Sequence, residues 1–294
     1  MLQSFSGAGI NAARLTRDAP VHQLSLCFAQ NRVRVTRQDP PWKVVRAFRQ
    51  PGAGTLVHLN NVSGGVLAGD RLALDVEVEA GFSAQITTTG ATRLYRHRPG
   101  SDDSEQRATF RVGERGLLEY LPDPLIPYAG SRHAQRTDIR LAAGACLFWW
   151  EVLAPGRQAF GESFAFERLR IETQILAENR PLLHERFLLE PRKRPMAVTA
   201  RIGLYSYVAS LYVCQSGRPP AFWRDLEDEL NRLAQERTCH SEVLWGASML
   251  QSDGLIVRGL STSQCFIPGP LTDFWRLARK AVTGEDAVPP RKVY

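Results

Sequence analysis

The chain has 294 residues, a net charge of +7 and five cysteines. That length accommodates one large domain or two small ones. A basic balance suits nucleic acid, an anionic membrane or an acidic protein partner. Here, however, the Lys and Arg are scattered, and the densest clusters, Arg192-Lys193-Arg194 and Arg291-Lys292, are short. They read as solvated surface rather than a nucleic-acid footprint. Cys27, Cys146, Cys214, Cys239 and Cys265 are odd in number, widely spaced and without a C-x-x-C, which argues against a disulfide framework and a zinc cluster. Cys146, Cys214 and Cys265 lie in apolar runs and read as buried thiols, whereas Cys239-His240 is a single, weak metal-like pair. No signal-peptide pattern and no apolar stretch of bilayer length occurs. The expectation is a cytoplasmic protein with no membrane segment.

In chain order, residues 1–20 lack periodicity and read as a loose tail on which Phe5 and Ile10 could dock. Residues 21–294 read as a single β domain. Leu24 to Phe28 and Val33 to Thr36 are short strands around a turn at Gln30-Asn31; Trp42 to Phe48 and Thr55 to Leu59 follow. The stretch VSGGVLAGDRLALDVEVEAGFSAQITTTGATRLYR, Val62 to Arg96, opens on a glycine-dense turn. Leu72, Leu74, Val76 and Val78 then alternate with polar residues, and Phe82, Ala84 and Ile86 do the same after Ala80-Gly81. This predicts a hairpin with one buried face.

Further on, Ala108 to Val112, Leu117 to Leu121 and Arg132 to Leu141 read as strands, and Cys146 to Trp150 as a strand buried on both sides. Phe164 and Phe166 are out of parity with Leu169 and Ile171, which predicts a bulge near Glu167-Arg168. Leu182 to Leu189 and Ile202 to Cys214 are strands. Helical spacing predicts a helix over 220–237, with Phe222, Leu226, Leu230 and Leu233 inward, and another over 271–282 stopped by Gly284. Between them come strands at Val243 to Leu250 and Leu255 to Leu260. The class is mainly β: many short strands with two late helices, either a sandwich or a β-solenoid, with no clean repeat.

The glycine-dense turn does not fit a phosphate loop, because no Lys-Ser/Thr follows Gly69 and a strand, not a helix, comes next. By the same residue reading Asp70 is more a turn residue than a ligand. No nucleophile elbow or zinc-protease motif is present, and the six histidines are dispersed. The carboxylates are more suggestive. Glu151 follows two tryptophans, Glu162 follows Gly161, and Glu185 lies in Leu182-Leu183-His184-Glu185-Arg186. Buried acids need an arginine, a hydrogen bond or a cation. Arg157 and Arg186 are the obvious ion-pair partners; the other reading is weak oxygen ligation of a passing divalent cation.

GGVLAGD followed by TTTGATRLYR resembles the signature of the urease accessory protein family UreD, called UreH in some species. LLEYLPDPLIPYAGS, WWEVLAPGRQAFGESF, PLLHERFLL, GLIVRGL and the closing PPRKVY resemble further UreD segments in the same order. The pattern departs at Ser63, Arg93 and Pro124, and Arg46 to Asn61 lacks the family's aromatic run. The resemblance implies a β-helix-like stack of strands with two helices. It also implies a non-enzymatic chaperone that binds urease apoprotein, joins UreF and through it UreG, and helps deliver nickel along an acidic and polar internal passage. No tightly bound cofactor is implied, only nickel in transit, and no nucleic acid or membrane partner. The motif positions expected to contact the ion are Asp70, Thr92, Glu151 and Glu185. Two rivals accompany this reading. A β-solenoid hydrolase would need two acids at a set separation in an open cleft. A pure interaction scaffold would carry the acids only as ion-paired core.

Overall fold

Alternating apolar residues need an apolar face to bury against, and two sheets supply one to each other. The structure, a computed structural model, describes residues 20–30, 32–50 and 54–290. Phe5, Ile10, Asn31 and the closing Arg291-Lys292-Val293-Tyr294 lie outside the described residues. The elements are β1 (His22–Ala29), β2 (Arg32–Gln38), β3 (Trp42–Lys43), β4 (Ala47–Gln50), β5 (Gly54–Asn61), β6 (Arg71–Val78), β7 (Ser83–Thr88), β8 (Thr92–Leu94), β9 (Ser104–Val112) and β10 (Leu117–Tyr120). There follow β11 (Leu125–Pro127), β12 (Arg132–Leu141), β13 (Cys146–Leu153), β14 (Arg168–Ala177), β15 (Arg180–Leu189), β16 (Tyr207–Gln215), α1 (Pro220–Arg237), β17 (Val243–Met249), β18 (Gly254–Ser261) and α2 (Pro268–Thr283).

A seven-stranded sheet has the order β15-β14-β12-β9-β6-β1-β2, and an eleven-stranded sheet has the path β17-β18-β16-β13-β10-β7-β5-β3. The chain crosses from one sheet to the other, so β6, β9, β12 and β14 stack in parallel on one side. On the other side β5, β7, β10 and β13 do the same. This is the expected mainly β, helix-like stack. Its coils are unequal: Ser83 pairs with Leu117 over a longer span than Leu117 with Cys146. Unequal corners shift the pattern from coil to coil, so no repeat is visible in the residues.

The expected hairpin at Ala80-Gly81 is not one. β6 and β7 lie in different sheets, each paired in parallel with its neighbours. Alternation reports one buried face but not the identity of the pairing strand. The corner is bonded instead to the next corner, with Gly81 N–H donating to Glu114 O at 2.8 Å.

Other expectations change as well. No bulge occurs at Glu167-Arg168: β14 runs in unbroken register with β12, while Phe164, at φ 51°, belongs to the loop before it. The irregularity lies at Ile175/Leu176 against β15. Trp42 to Phe48 is split between β3 and β4, and β16 starts only at Tyr207. Cys27, Cys146 and Cys214 are buried, but Cys265 is exposed, because its apolar run is a short 3-10 turn rather than a strand.

The inner faces of the two sheets form one core that includes Leu74, Phe110, Ile139, Trp149 and Ile175. A second core lies between the outer face of the larger sheet and the helices. α1 buries Trp223, Leu226, Leu230 and Ala234, a stripe turned slightly from the expected one. α2 starts at Pro268, since a proline at the first helical position loses no hydrogen bond. Among the described residues no helix is long and apolar enough to cross a membrane.

One buried ion pair fastens α2 to the larger sheet. Glu119 on β10 is 4% exposed. Its carboxylate accepts from Arg279 Nε at 3.0 Å, Trp275 Nε1 at 3.0 Å and Gln85 Nε2 at 2.9 Å. Removing one partner strands a buried charge. Arg279→Met is expected to cost about 3–5 kcal/mol in urea unfolding. Adding Glu119→Gln should recover part of the loss; equal stability of Arg279→Met and wild type would contradict the assignment.

Candidate functional site

In-register stacking turns single residues into rows that run across the coils. On the inner face of the larger sheet one row reads Val57, Ile86, Tyr120, Trp149, Tyr212, Ile256. Trp149 and Tyr212 stack with ring centres 4.7 Å apart. One row along, Glu151 pairs with Ser210 and Ser210 with Arg258. The facing sheet presents Gln106, Gln135, Ile171 and Phe187 in one row and Thr137, Thr173 and Glu185 in the next.

Polar contacts bridge the gap between the sheets. Gln135 Nε2 donates to Glu151 Oε1 at 3.3 Å. Tyr212 O–H donates to Glu185 Oε2 at 2.7 Å, and Arg258 Nη2 pairs with Glu185 Oε1. The ion-pair partner of Glu185 is therefore Arg258 and not its sequence neighbour. Strand alternation sends Arg186 to the opposite face, where it meets Glu172 at 3.1 Å. Arg157 does pair with Glu162, with Nε 2.9 Å from Oε2.

A cavity of about 440 Å³ opens between the sheets, with Glu151, Gln135, Trp149, Tyr212 and Arg258 on its wall. A second, of about 230 Å³, is lined by neutral donors such as Asn60, Asn61, Thr88 and Thr89. Thr92, Gln106 and Tyr120 line both, so the two spaces adjoin there. A mostly apolar space with acids and arginines on its wall thus leads to one lined by amides, hydroxyls and Arg93. Asp123 adds an acid on the first wall and accepts from Thr88 Oγ1 at 2.8 Å.

Burial pushes the Glu151 carboxyl up to about 8; the negative charge of Glu185 acts in the same direction and Arg258 partly offsets both. Glu151 therefore meets a divalent cation only by giving up a proton or a hydrogen bond. Oxygen donors of this kind suit hard or borderline cations. Among the described residues no group of three or more His, Cys, Asp or Glu stands at metal-holding distance.

The four candidates do not share one place. Glu151 faces the larger cavity, and Glu185 stands behind Tyr212 and Arg258. Thr92, on β8, sits where the two cavities adjoin. Asp70 lines neither: its Oδ2 accepts from Leu67 N–H at 2.8 Å, and its own N–H donates to Leu67 O at 3.1 Å. It closes the glycine turn, where Gly69 holds φ 83° and a Cβ on Gly65 would fall 2.5 Å from Arg93 O. The turn reading of Asp70 from its residue type describes this geometry. Tyr120 and Arg258, which lie in the family-like segments LLEYLPDPLIPYAGS and GLIVRGL, carry no chemical signal in the sequence and are placed at the site by the strand register. Gln106 and Gln135 carry no signal in one sequence, because only the register places them.

The Glu151 shift has a consequence for stability. A folded-state value raised above the unfolded one favours folding fully below the unfolded value of 4.5 and loses that contribution as pH rises toward about 8. Glu151→Gln removes this dependence. The variant is expected to match wild type near pH 5 and to exceed it at pH 9 in urea unfolding; parallel curves at both pH values would overturn the assignment.

The sequence pattern described as UreD urease accessory protein matches residues 22–294. A urease accessory protein UreD of Herpetosiphon aurantiacus is 41% identical over 285 residues, which span 96% of this chain and 99% of that one. Proteins of the same name are 33% identical in Alkalilimnicola ehrlichii, over 87% of this chain and 83% of that one, and 30% identical in Pseudomonas paraeruginosa, over 92% and 93%. The chain belongs to the UreD family of urease accessory proteins.

Proposed function

We propose that this protein acts in urease maturation as a non-enzymatic chaperone. It binds urease apoprotein, joins UreF and through it UreG, and passes nickel through its interior toward the urease active site. The observation that carries the nickel part is the pair of adjoining cavities sharing Thr92, Gln106 and Tyr120, with Glu151 on the wall of one. Glu151, Glu185 and Thr92 are the assigned ion contacts in this reading, and Asp70 belongs to the turn. The donors are oxygens, few and already hydrogen-bonded, which favours brief contact over storage.

A carboxylate hydrolase is the weaker reading. Paired-acid chemistry requires one acid to protonate a leaving group and the other to face substrate. Glu185 is instead held by both Tyr212 and Arg258.

The test is co-expression with urease and its accessory proteins in a host that lacks this chain. Glu151→Ala/Glu185→Ala is expected to lower the nickel content and activity of purified urease at least tenfold while the complex with urease apoprotein still forms. Full nickel loading by the double variant would leave an interaction scaffold that does not touch the ion. Thr92→Val should have a smaller effect, since it removes one neutral donor.

A further inference from the structure

Glu151 and Arg258 line the larger cavity, and Glu185 stands behind Arg258, an arrangement that bears on how an ion enters. Arg258 lies on β18 in the row of Glu151, separated from it by Ser210 on β16. From that row its Nη2 reaches across the gap to Glu185 Oε1 on the opposite sheet. The arginine thus covers Glu185 on the side that faces the cavity, and Glu151 lies two strands away on the arginine's own sheet. Its side chain is 40% exposed, whereas that of Glu185 is 17% exposed. The acid is fixed, held also by Tyr212 at 2.7 Å, and the arginine has solvent to move into. The ring of Phe187, 6.0 Å from the guanidinium carbon, gives it an apolar surface on that path.

We propose that Arg258 holds the place of an incoming divalent cation beside Glu185: its guanidinium screens that acid from the cavity that Glu151 lines, and the ion reaches Glu185 only as the arginine swings out. This inference rests on the nickel-passage reading and adds the residue that sets how weakly the ion is held. With the guanidinium in place, Glu185 is neutralised and an incoming cation meets a like charge within a few ångströms. With it withdrawn, two acids from opposite sheets face the same space. Arginine suits such a role better than lysine, because it stays charged at every physiological pH and its planar fork binds a carboxylate in a set direction.

The test uses the purified full-length protein and nickel chloride, with affinity read by titration calorimetry and fold by thermal unfolding. Arg258→Gln keeps an N–H for Glu185 but removes the charge. It is expected to bind nickel on the order of tenfold more tightly than wild type. Arg258→Met, which also clears the hydrogen bond, should bind at least as tightly. Arg258→Gln/Glu185→Gln should fall back to wild-type affinity or below, because the gain requires the freed acid. Unchanged or weaker binding by Arg258→Gln, with Glu185→Gln still weakening wild type, would make Arg258 a structural partner only and leave the passage reading standing. Nickel binding indifferent to Glu151→Gln, Glu185→Gln and Arg258→Gln alike would remove both. Should Arg258→Met lose its thermal transition, Arg258→Gln carries the comparison alone.

Discussion

Burying a charged or strongly polar group in the gap between two sheets is costly unless it is paired, and that constraint shapes the interior. Most of the gap is closed by aliphatic and aromatic side chains from both inner faces. The carboxyl groups that intrude are satisfied across the gap, Glu151 by Gln135 and Glu185 by Tyr212 and Arg258, while Trp149 Nε1 is buried without a partner among the described residues. Each such bond links the smaller sheet to the larger. An unpaired buried carboxylate would cost several kcal/mol, so these acids persist only because residues of the opposite sheet answer them. The larger cavity is the part of the gap left unfilled, with a mostly apolar wall and this cross-sheet pairing at its edge.

The same strand carries the fastening and the wall. On β10, Glu119 points outward to Trp275 and Arg279, and Tyr120 points inward to Phe110, with ring centres 5.0 Å apart, and to both cavities. Strand alternation makes the two adjacent residues serve opposite faces. A shift in how α2 seats on Glu119 would therefore move the backbone that positions Tyr120. The helices are in this way part of the frame around the cavity, although none of their side chains lines it.

Much of the architecture was legible in the residues. Leu72 to Val78 and Ile139 to Leu141 show their buried faces by alternation, and α1 and α2 show theirs by helical spacing. Pairing was not legible. Parallel strands in different coils carry the same apolar alternation as a hairpin, so Ala80-Gly81 read as a hairpin turn when it is a corner between sheets. The site suffered from the same gap. Glu151 and Glu185 were picked out as acids in apolar strands, which is a local property. Their partners are not local: Arg258 lies 73 residues from Glu185 along the chain, and Arg186, adjacent in sequence, faces the other way. Asp70 shows the converse, a position singled out by resemblance whose local chemistry as a turn residue describes what its side chain does.

The distribution of donors along the two cavities bears on what such a space can do with a cation. One end has Glu151 on its wall, engaged by an amide, with Glu185 behind it engaged by a phenol and a guanidinium; the other offers hydroxyl and carboxamide oxygens beside Arg93, without an acid on its wall. A tight site would need several free acids converging at one point, and among the described residues none do. On the passage reading, each step along the wall would exchange one weak set of oxygens for another, which favours transit over trapping. Engagement of the acids by neighbours favours transit further, because an entering cation must displace a proton, a hydrogen bond or Arg258 before it gains a ligand. On that reading weak binding would be a property of the paired interior itself, following from the same cross-sheet contacts that link the two sheets.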